Sequence, residues 1–518
     1  MSLLVTRTLT LVPLRSELHL ISTKPKRIIA QVYIKCKIDR YGGREAEEPM
    51  NNPSAAQRKK GLHEASRRSV NKKSFSQEQV EFAAPVSSDP VVGIIGGGMS
   101  GIVCALYLEK RGIKSTVFDT GIHGFGGRMG TRIIDPHPLI FDHAAQFFTV
   151  TDPKFAELVD RWSKEGLVRQ WQGTVGNLES GGRFVQLPAR PPRYIGINGM
   201  RPLADYLMSQ TSMVNVVRPC WVSKLEPYNG MWHLSEKGKP CGHFDAIVIA
   251  HNGKYLRKCA NRLLAASGLP LIARQMKRLT LSSIWALLAA FEDPLPVSSV
   301  DPAITFEGAF VTGVDSISWI ANNTKKLLGS ESSGPYCWTI LSTATFGKQN
   351  KVPQESIPSA TAEKVKELML EGLENALGLQ KSSLKRPFYS RLQLWGAALP
   401  TNSPGVPCIF DPHGRAGICG DWLLGSSIEA AALSGMAMAN HASLLIFRFI
   451  LSFSCTMLFQ PVLCDDPNVG SFMQIADYFQ SSGTCPDDFA LGLHNNFQPI
   501  IGHDIGQFPG LESPCLVT

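Results

Sequence analysis

A chain of 518 residues that is 44% hydrophobic can hold two or three domains and a sizeable core, which excludes a wholly disordered or low-complexity protein. The net charge of +9 is local, since residues 1–80 hold 16 Lys/Arg against 7 Asp/Glu and the remainder holds 36 of each, so the neutral body excludes an extended nucleic-acid surface. Twelve cysteines spread from Cys36 to Cys515, with no C-x-x-C pair and no Cys/His ligand spacing, exclude a disulfide scaffold and leave no metal site to expect.

Residues 1–40 carry eight basic side chains against Glu17 and Asp39, with Ser and Thr interspersed and no continuous apolar core, the pattern of an organelle transit peptide. From Arg44 to Pro90 the polar, Pro/Ser/Lys-rich sequence predicts a disordered linker, and a chain beginning near Ser88 is expected to fold.

Val91–Ile95 is an apolar run that breaks into Gly96-Gly97-Gly98-Met99-Ser100-Gly101 and resumes as a helix through Ala105 and Leu108, stopped at Gly112. Gly96, Gly98 and Gly101 fit G-x-G-x-x-G: a tight turn, a place where the backbone can approach a pyrophosphate, and close helix–strand packing. Met99 and Ser100 then open a helix whose N–H groups face the anion. Ser115–Asp119 supplies the next strand, with Asp119 placed to bind ribose hydroxyls. Strand, spacing and acid together predict dinucleotide binding.

Next comes Gly124-Phe125-Gly126-Gly127-Arg128-Met129-Gly130-Thr131, a second glycine turn with one arginine, and then Asp142-His143-Ala144-Ala145-Gln146-Phe147-Phe148. A dinucleotide fold followed by G-G-R-M resembles the flavin-containing amine oxidase superfamily, and D-H-A-A-Q-F-F is similar to the D-x-G-A-Q-Y of its renalase-like branch, with Ala144 where that pattern has glycine. Arg128 offers a cationic fork to a pyrophosphate, and the glycines around it let backbone pass close to a ring system. The resemblance spans about residues 91–441. It implies an α/β fold: a Rossmann-type FAD-binding domain with an inserted α+β substrate domain.

Residues 153–193 begin with an amphipathic helix through Phe155, Leu158, Val159 and Trp162. Tyr194–Met200 is similar to the family's G-x-P-G-M segment, with Asn198 in the proline position. Short strands follow at Val214–Val217, Trp221–Leu225 and Met231–Ser235, then the continuous apolar run Phe244–Ala250, typical of a buried parallel strand. Val222 matches the position whose backbone meets adenine in relatives. Between Leu279 and Pro400 the pattern predicts long strands at Ser283–Phe291, Ser316–Ala321 and Trp338–Ser342, and a helix over Thr361–Leu377 ended by Gly378. Trp395–Pro400 resembles the family's W-x-x-A-x-P, with its alanine at Ala398.

Gly417–Gly435 is a strand ending in Gly420-Asp421 and then a small-residue helix. The resemblance implies that Asp421 bonds the ribityl or pyrophosphate region and that the Ser427-Ile428 backbone lies nearest the flavin ring, where a helix N-terminus favours developing negative charge. Ala442–Leu463 is long enough to span a bilayer, but Arg448 at mid-span costs about 2.5 kcal/mol or more, so a terminal helix or tail is expected rather than a span.

The implied domains are residues 1–90 as transit peptide and linker; 91–150, 194–260 and 405–441 as a discontinuous FAD-binding domain; 151–193 and 261–404 as the substrate domain; and 442–518 as a tail. The expected cofactor is FAD, non-covalent because no cysteine has the S-G-C-Y-like setting of flavin-linked relatives. The expected partner is a small-molecule substrate, an amine or a reduced nicotinamide of NAD(P)H type, with Gln146, Phe147, Trp395 and Trp422 as candidates beside the ring. A desaturase or porphyrinogen-oxidase-like enzyme, or an assembly factor with structural FAD, are the alternatives. The renalase-type character points to a chloroplast destination, with the mitochondrion second.

Overall fold

Two sheets carry the architecture, and the glycine-rich turn leaves the end of the central strand of the first. The computed structural model describes residues 78–135, 139–251, 260–296, 306–329, 334–454 and 498–499. The expected transit peptide, most of the linker and the end of the tail lie outside the described residues.

The first sheet has six strands in the order Ile409–Asp411, Ala416–Ile418, Ala246–Ile249, Val91–Ile95, Lys114–Phe118, Val214–Val217. All neighbours pair parallel except the first two, which form an antiparallel pair at the edge. Parallel strands need crossovers and are covered on both faces, which is why Val91–Ile95 and Ala246–Ile249 read as unbroken apolar runs. One face is covered by the helix Met99–Glu109 and by Ile428–Ser454, which cross closely: a Cβ on Gly435 would lie 2.4 Å from the Ser100 carbonyl oxygen. The other face carries the antiparallel meander Lys224–Tyr228, Met231–Glu236, Lys239–Phe244 and the helices Ala260–Ala266 and Pro270–Arg278.

The second sheet has seven strands in the order Tyr389–Pro400, Leu281–Phe291, Tyr336–Leu341, Trp319–Asn322, Gly308–Thr312, Val175–Glu179, Arg183–Gln186. It is antiparallel except where Val175–Glu179 runs parallel to Gly308–Thr312. The helix Ser359–Ala376 packs Val365, Met369 and Leu373 on one of its faces, and Gly378 at φ +70° ends that element as its sequence predicts. The fold is thus mixed α/β with a Rossmann-type domain and an inserted sheet, as expected.

Four boundaries differ from the sequence reading. Residues 78–90 are not linker but a strap on the nucleotide domain. There Val80 and Phe82 pack against the meander side, and buried Val86 joins the helix side. Buried Asp245 accepts from the Ser87 amide (2.7 Å), the Ser87 hydroxyl (3.0 Å) and the Val91 amide (3.0 Å). The amphipathic helix Pro153–Lys164 buries Phe155, Leu158, Val159 and Trp162 in the nucleotide domain's helix-side core, so it belongs to that domain rather than to the substrate sheet. The same is true of Ala260–Ala266 and Pro270–Arg278, whose Leu264, Ile272 and Met276 join the meander core. The helix starting at Ile428 continues to Ser454, past the expected boundary at His441. Its Ile428–Phe447 part, with a mean hydropathy of 1.4, is among the described residues the one helix long and apolar enough to cross a membrane. Its Met438, Ala439, Ala442 and Ile446 are fully buried against the first helix's core, the packing of a central helix.

Candidate active site

At the carboxyl ends of the parallel strands, where ligands bind in open α/β sheets, lies a cleft of about 360 Å³. Gly96, with φ +123°, makes the turn out of the first strand, and a Cβ there would meet the Ala250 carbonyl oxygen at 2.7 Å. Gly98 is the N-cap of the following helix with no side-chain cap, and a Cβ there would meet nothing within 4 Å. The room for an anion and the uncapped helix start coincide. Gly101 stands behind the cleft, where a Cβ would lie 2.0 Å from the Gly96 oxygen, which is the close helix–strand contact the motif requires.

Asp119 ends the second strand and ties the turns together. Its Oδ2 accepts from the Gly97 amide at 2.8 Å and its Oδ1 from the Gly121 amide at 2.6 Å. Each oxygen retains acceptor capacity for a ribose hydroxyl. The second glycine turn docks on the first through the Gly126 amide and the Gly97 oxygen (2.8 Å), with Gly126 and Gly127 both at positive φ. Arg128 on this turn donates to the Ala398 oxygen (2.7 Å) and pairs with Asp421 (2.5 Å). The cation expected to meet pyrophosphate and the carboxylate expected to meet the ribityl region are therefore one ion pair on the cleft wall, joining the second glycine turn to the Gly420-Asp421 turn. Beyond it Ser427 caps the long helix, its Oγ accepting from the Ala430 amide at 2.9 Å, and Ser426, Ser427 and Ile428 line the cleft.

Of the residues singled out by sequence, Gly96, Gly98, Met99, Ser100, Asp119, Gly127, Arg128, Met129, Val222, Gly420, Asp421, Ser427 and Ile428 all line this one cleft. Trp395 and Trp422 line it as well. Trp395 enters from the edge strand of the second sheet, and its indole N–H donates to the His143 oxygen at 3.0 Å. Gln146 and Phe147 do not reach it. Gln146 is fully buried, its amide donating to the Asp142 and Ala144 oxygens at 2.9 Å each, and Phe147 packs among Trp171, Phe310 and Trp319. Both are core residues behind the cleft, although Ala145 between them and Asp142 lines it.

Sequence reasoning missed several participants. His251 lines the cleft beside Ala250, and desolvation pushes its imidazole down to about 4 against the opposing pull of Asp119. Trp221 and Gln354 line it too, Gln354 accepting from the Gly396 amide at 3.0 Å. Behind it Lys326 and Asp142, both with zero exposure, form a 2.9 Å ion pair that fastens the second sheet to the nucleotide domain. Asp142 also accepts from Thr131 (2.6 Å) and the Met200 amide (3.0 Å). Lys326 carried no signal, since a Thr-Lys-Lys run between apolar stretches reads as an exposed turn.

A family model described as an NAD(P)-binding Rossmann-like domain matches residues 94–162. Among solved structures, the chain is similar to a protoporphyrinogen oxidase candidate from Exiguobacterium sp. 255-15, with 12% identity, 70% of this chain and 100% of that chain covered, and a TM-score of 0.50. It is also similar to cyclohexylamine oxidase from Brevibacterium oxydans IH-35A (12% identity, 70% and 100% covered, TM-score 0.48) and to a redesigned putrescine oxidase (11%, 69% and 99%, TM-score 0.47). At these identities the likeness is one of fold.

Proposed function

We propose that this chain is an FAD-dependent oxidoreductase of the amine oxidase type, in its renalase-like branch, that oxidises a small organic substrate, an amine or a reduced nicotinamide, with oxygen as acceptor. One observation carries the reading: thirteen residues chosen from sequence for a flavin dinucleotide, drawn from five separated stretches, line a single cleft that a strand of the inserted sheet closes. The residues fit the group. An open cradle at Gly98, an uncapped helix start, a ribose-ready carboxylate at Asp119 and a capped helix N-terminus at Ile428 follow one another along the wall. The protoporphyrinogen oxidase candidate that shares the fold is by name an oxidase, which agrees with this class.

Bound FAD would supply a two-electron acceptor. The chain's own residues bind, orient and exclude water. The glycine turns would offer backbone N–H groups to a pyrophosphate, and the Arg128–Asp421 pair would present charge-assisted partners of both signs beside it. The N-terminal end of the long helix sets positive partial charge at the cleft wall, which would favour a group that gains electrons if it were bound beside Ser427 and Ile428. Trp395 and Trp422 supply apolar faces that exclude water. Cys220 lines the cleft beside Val222, and we propose that the cofactor is held non-covalently. We also propose that the basic N-terminal segment directs the protein to a plastid.

Purified protein is expected to be yellow, to release intact FAD on acid precipitation, and to bleach anaerobically with a substrate and recover colour in air. A colourless folded preparation sinks the cofactor assignment. A yellow protein that no amine, reduced nicotinamide or porphyrinogen bleaches leaves FAD as a structural group.

A further inference from the structure

The edge strand of the second sheet continues past the cleft, and the face that carries Trp395 is not apolar. Side chains alternate along a strand, so Tyr389, Arg391, Gln393 and Trp395 share one face while Leu392 and Leu394 turn to the core under Ser359–Ala376. Over the first face runs the strand Leu139–Asp142 with the residue after it. Phe141 stacks on Tyr389 (5.8 Å between centroids, 26° between planes) and His143 stacks on Trp395 (5.4 Å, 14°). The two stacks are two residues apart on one strand and six apart on the other, and Arg391 and Gln393 lie between Tyr389 and Trp395 along the longer interval. Arg132 is the hairpin partner of Phe141, and partners across an antiparallel pair project to the same side, which brings a second guanidinium to the same interval.

Neither arginine has an ion-pair partner among the described residues, although ten such pairs occur elsewhere. The Nε of Arg132 is buried with no hydrogen-bond partner. Burial, and then the like charge of Arg391, lower the Arg132 guanidinium from its ordinary value. The nearby imidazole of His143 adds no charge at neutral pH, since burial followed by the Arg132 charge pushes it down to about 4. Arg391 is exposed and solvated, whereas Arg132 is half-buried with its Nε unpartnered, so an anion reaching both would complete the Arg132 guanidinium and relieve the like-charge contact.

We propose that Arg132 and Arg391 form an anion subsite that binds a carboxylate of the substrate, whose reacting group lies at Trp395. The planar fork of each guanidinium matches a carboxylate bidentately. Four residues of extended strand separate Arg391 from Trp395, about 13 Å, so with the arginine's reach allowed for the substrate is elongated, its carboxylate several bonds from the group oxidised. This deepens the proposed oxidoreductase reading and rests on it.

The test uses the holoprotein and two isosteric probes, 4-phenylbutyrate and its neutral amide, titrated by tryptophan fluorescence and calorimetry. The acid is expected to bind at least tenfold tighter than the amide. Arg391→Gln and Arg132→Gln should each remove most of that preference while leaving amide affinity unchanged, and Arg391→Lys, on an exposed position, should keep much of it. Equal binding of acid and amide by the unaltered protein overturns the subsite, as does an acid preference that survives both glutamine variants. The two readings fail separately. A protein without FAD that still prefers the acid loses the oxidoreductase assignment and keeps the subsite, whereas a reducible flavoprotein indifferent to the carboxylate does the reverse.

Discussion

At the scale of single residues, the glycines of the first turn do different work, and the structure separates what the motif lumps together. A side chain at Gly98 enters open cleft, while one at Gly101 collides with the Gly96 carbonyl at 2.0 Å. Gly98→Leu is therefore expected to keep the melting temperature of the FAD-free protein within a few degrees and to lose the flavin. Gly101→Val is expected to cost several kcal/mol, roughly 3 or more, because helix and strand must part. Thermal melts of FAD-stripped protein beside flavin absorbance separate the two, and a Gly98→Leu protein that keeps stoichiometric FAD shows that the anion sits elsewhere. The glycines and Asp119 were legible in sequence because strict backbone geometry leaves few residue choices. Gln146 and Phe147 were misread for the complementary reason: polar or aromatic character marks residues that can meet a ring, but their facing depends on how the chain turns after Asp142. Lys326 and the Arg132–Arg391 pair were invisible, since an exposed and a buried cation look alike until long-range partners are known.

At the scale of elements, periodicity found the strands and helices, but not which core each one joins. The helix Pro153–Lys164 has a clear apolar stripe, capped by Asp152, whose carboxylate accepts from the Lys154 and Phe155 amides; nothing in that stripe says which domain it faces. The strap at 78–87 shows the limit of composition. Its polar residues suggested linker, while three spaced apolar side chains, Val80, Phe82 and Val86, carry its packing. A chain starting at Ser88 loses those contacts and strips Asp245 of two of its donors from Ser87. Relative to a chain starting at Glu78, it is expected to be less stable by about 3 kcal/mol or more, from partial burial of three apolar side chains and an under-bonded buried carboxylate. Urea unfolding of the two chains measures this, and coincident midpoints place the strap outside the cooperative fold.

At the scale of the whole molecule, the cleft is assembled from stretches more than 300 residues apart, and the Arg128–Asp421 pair spans the join. A ligand touching all of them stabilises every element that positions it, so FAD at a hundredfold excess over its Kd should add about 2.7 kcal/mol to unfolding. Asp421 tests how that stabilisation divides between fold and cofactor. Its Oδ1 already serves Arg128, and Arg128 is only about a quarter exposed, so Asp421→Leu strands a cation and lowers stability even without FAD. Asp421→Asn keeps an acceptor for Arg128 and loses charge alone. If Asp421 also accepts from the cofactor's hydroxyls, Asp421→Leu should shrink the FAD-dependent rise in melting temperature as well as the FAD-free value, with FAD affinity falling about five- to a hundredfold. Asp421→Asn should lower both modestly. Melting each variant with and without saturating FAD decides it: an unchanged FAD increment in both variants assigns Asp421 to bracing Arg128 and leaves the ribityl contact to its neighbours on the Gly420–Ile428 turn.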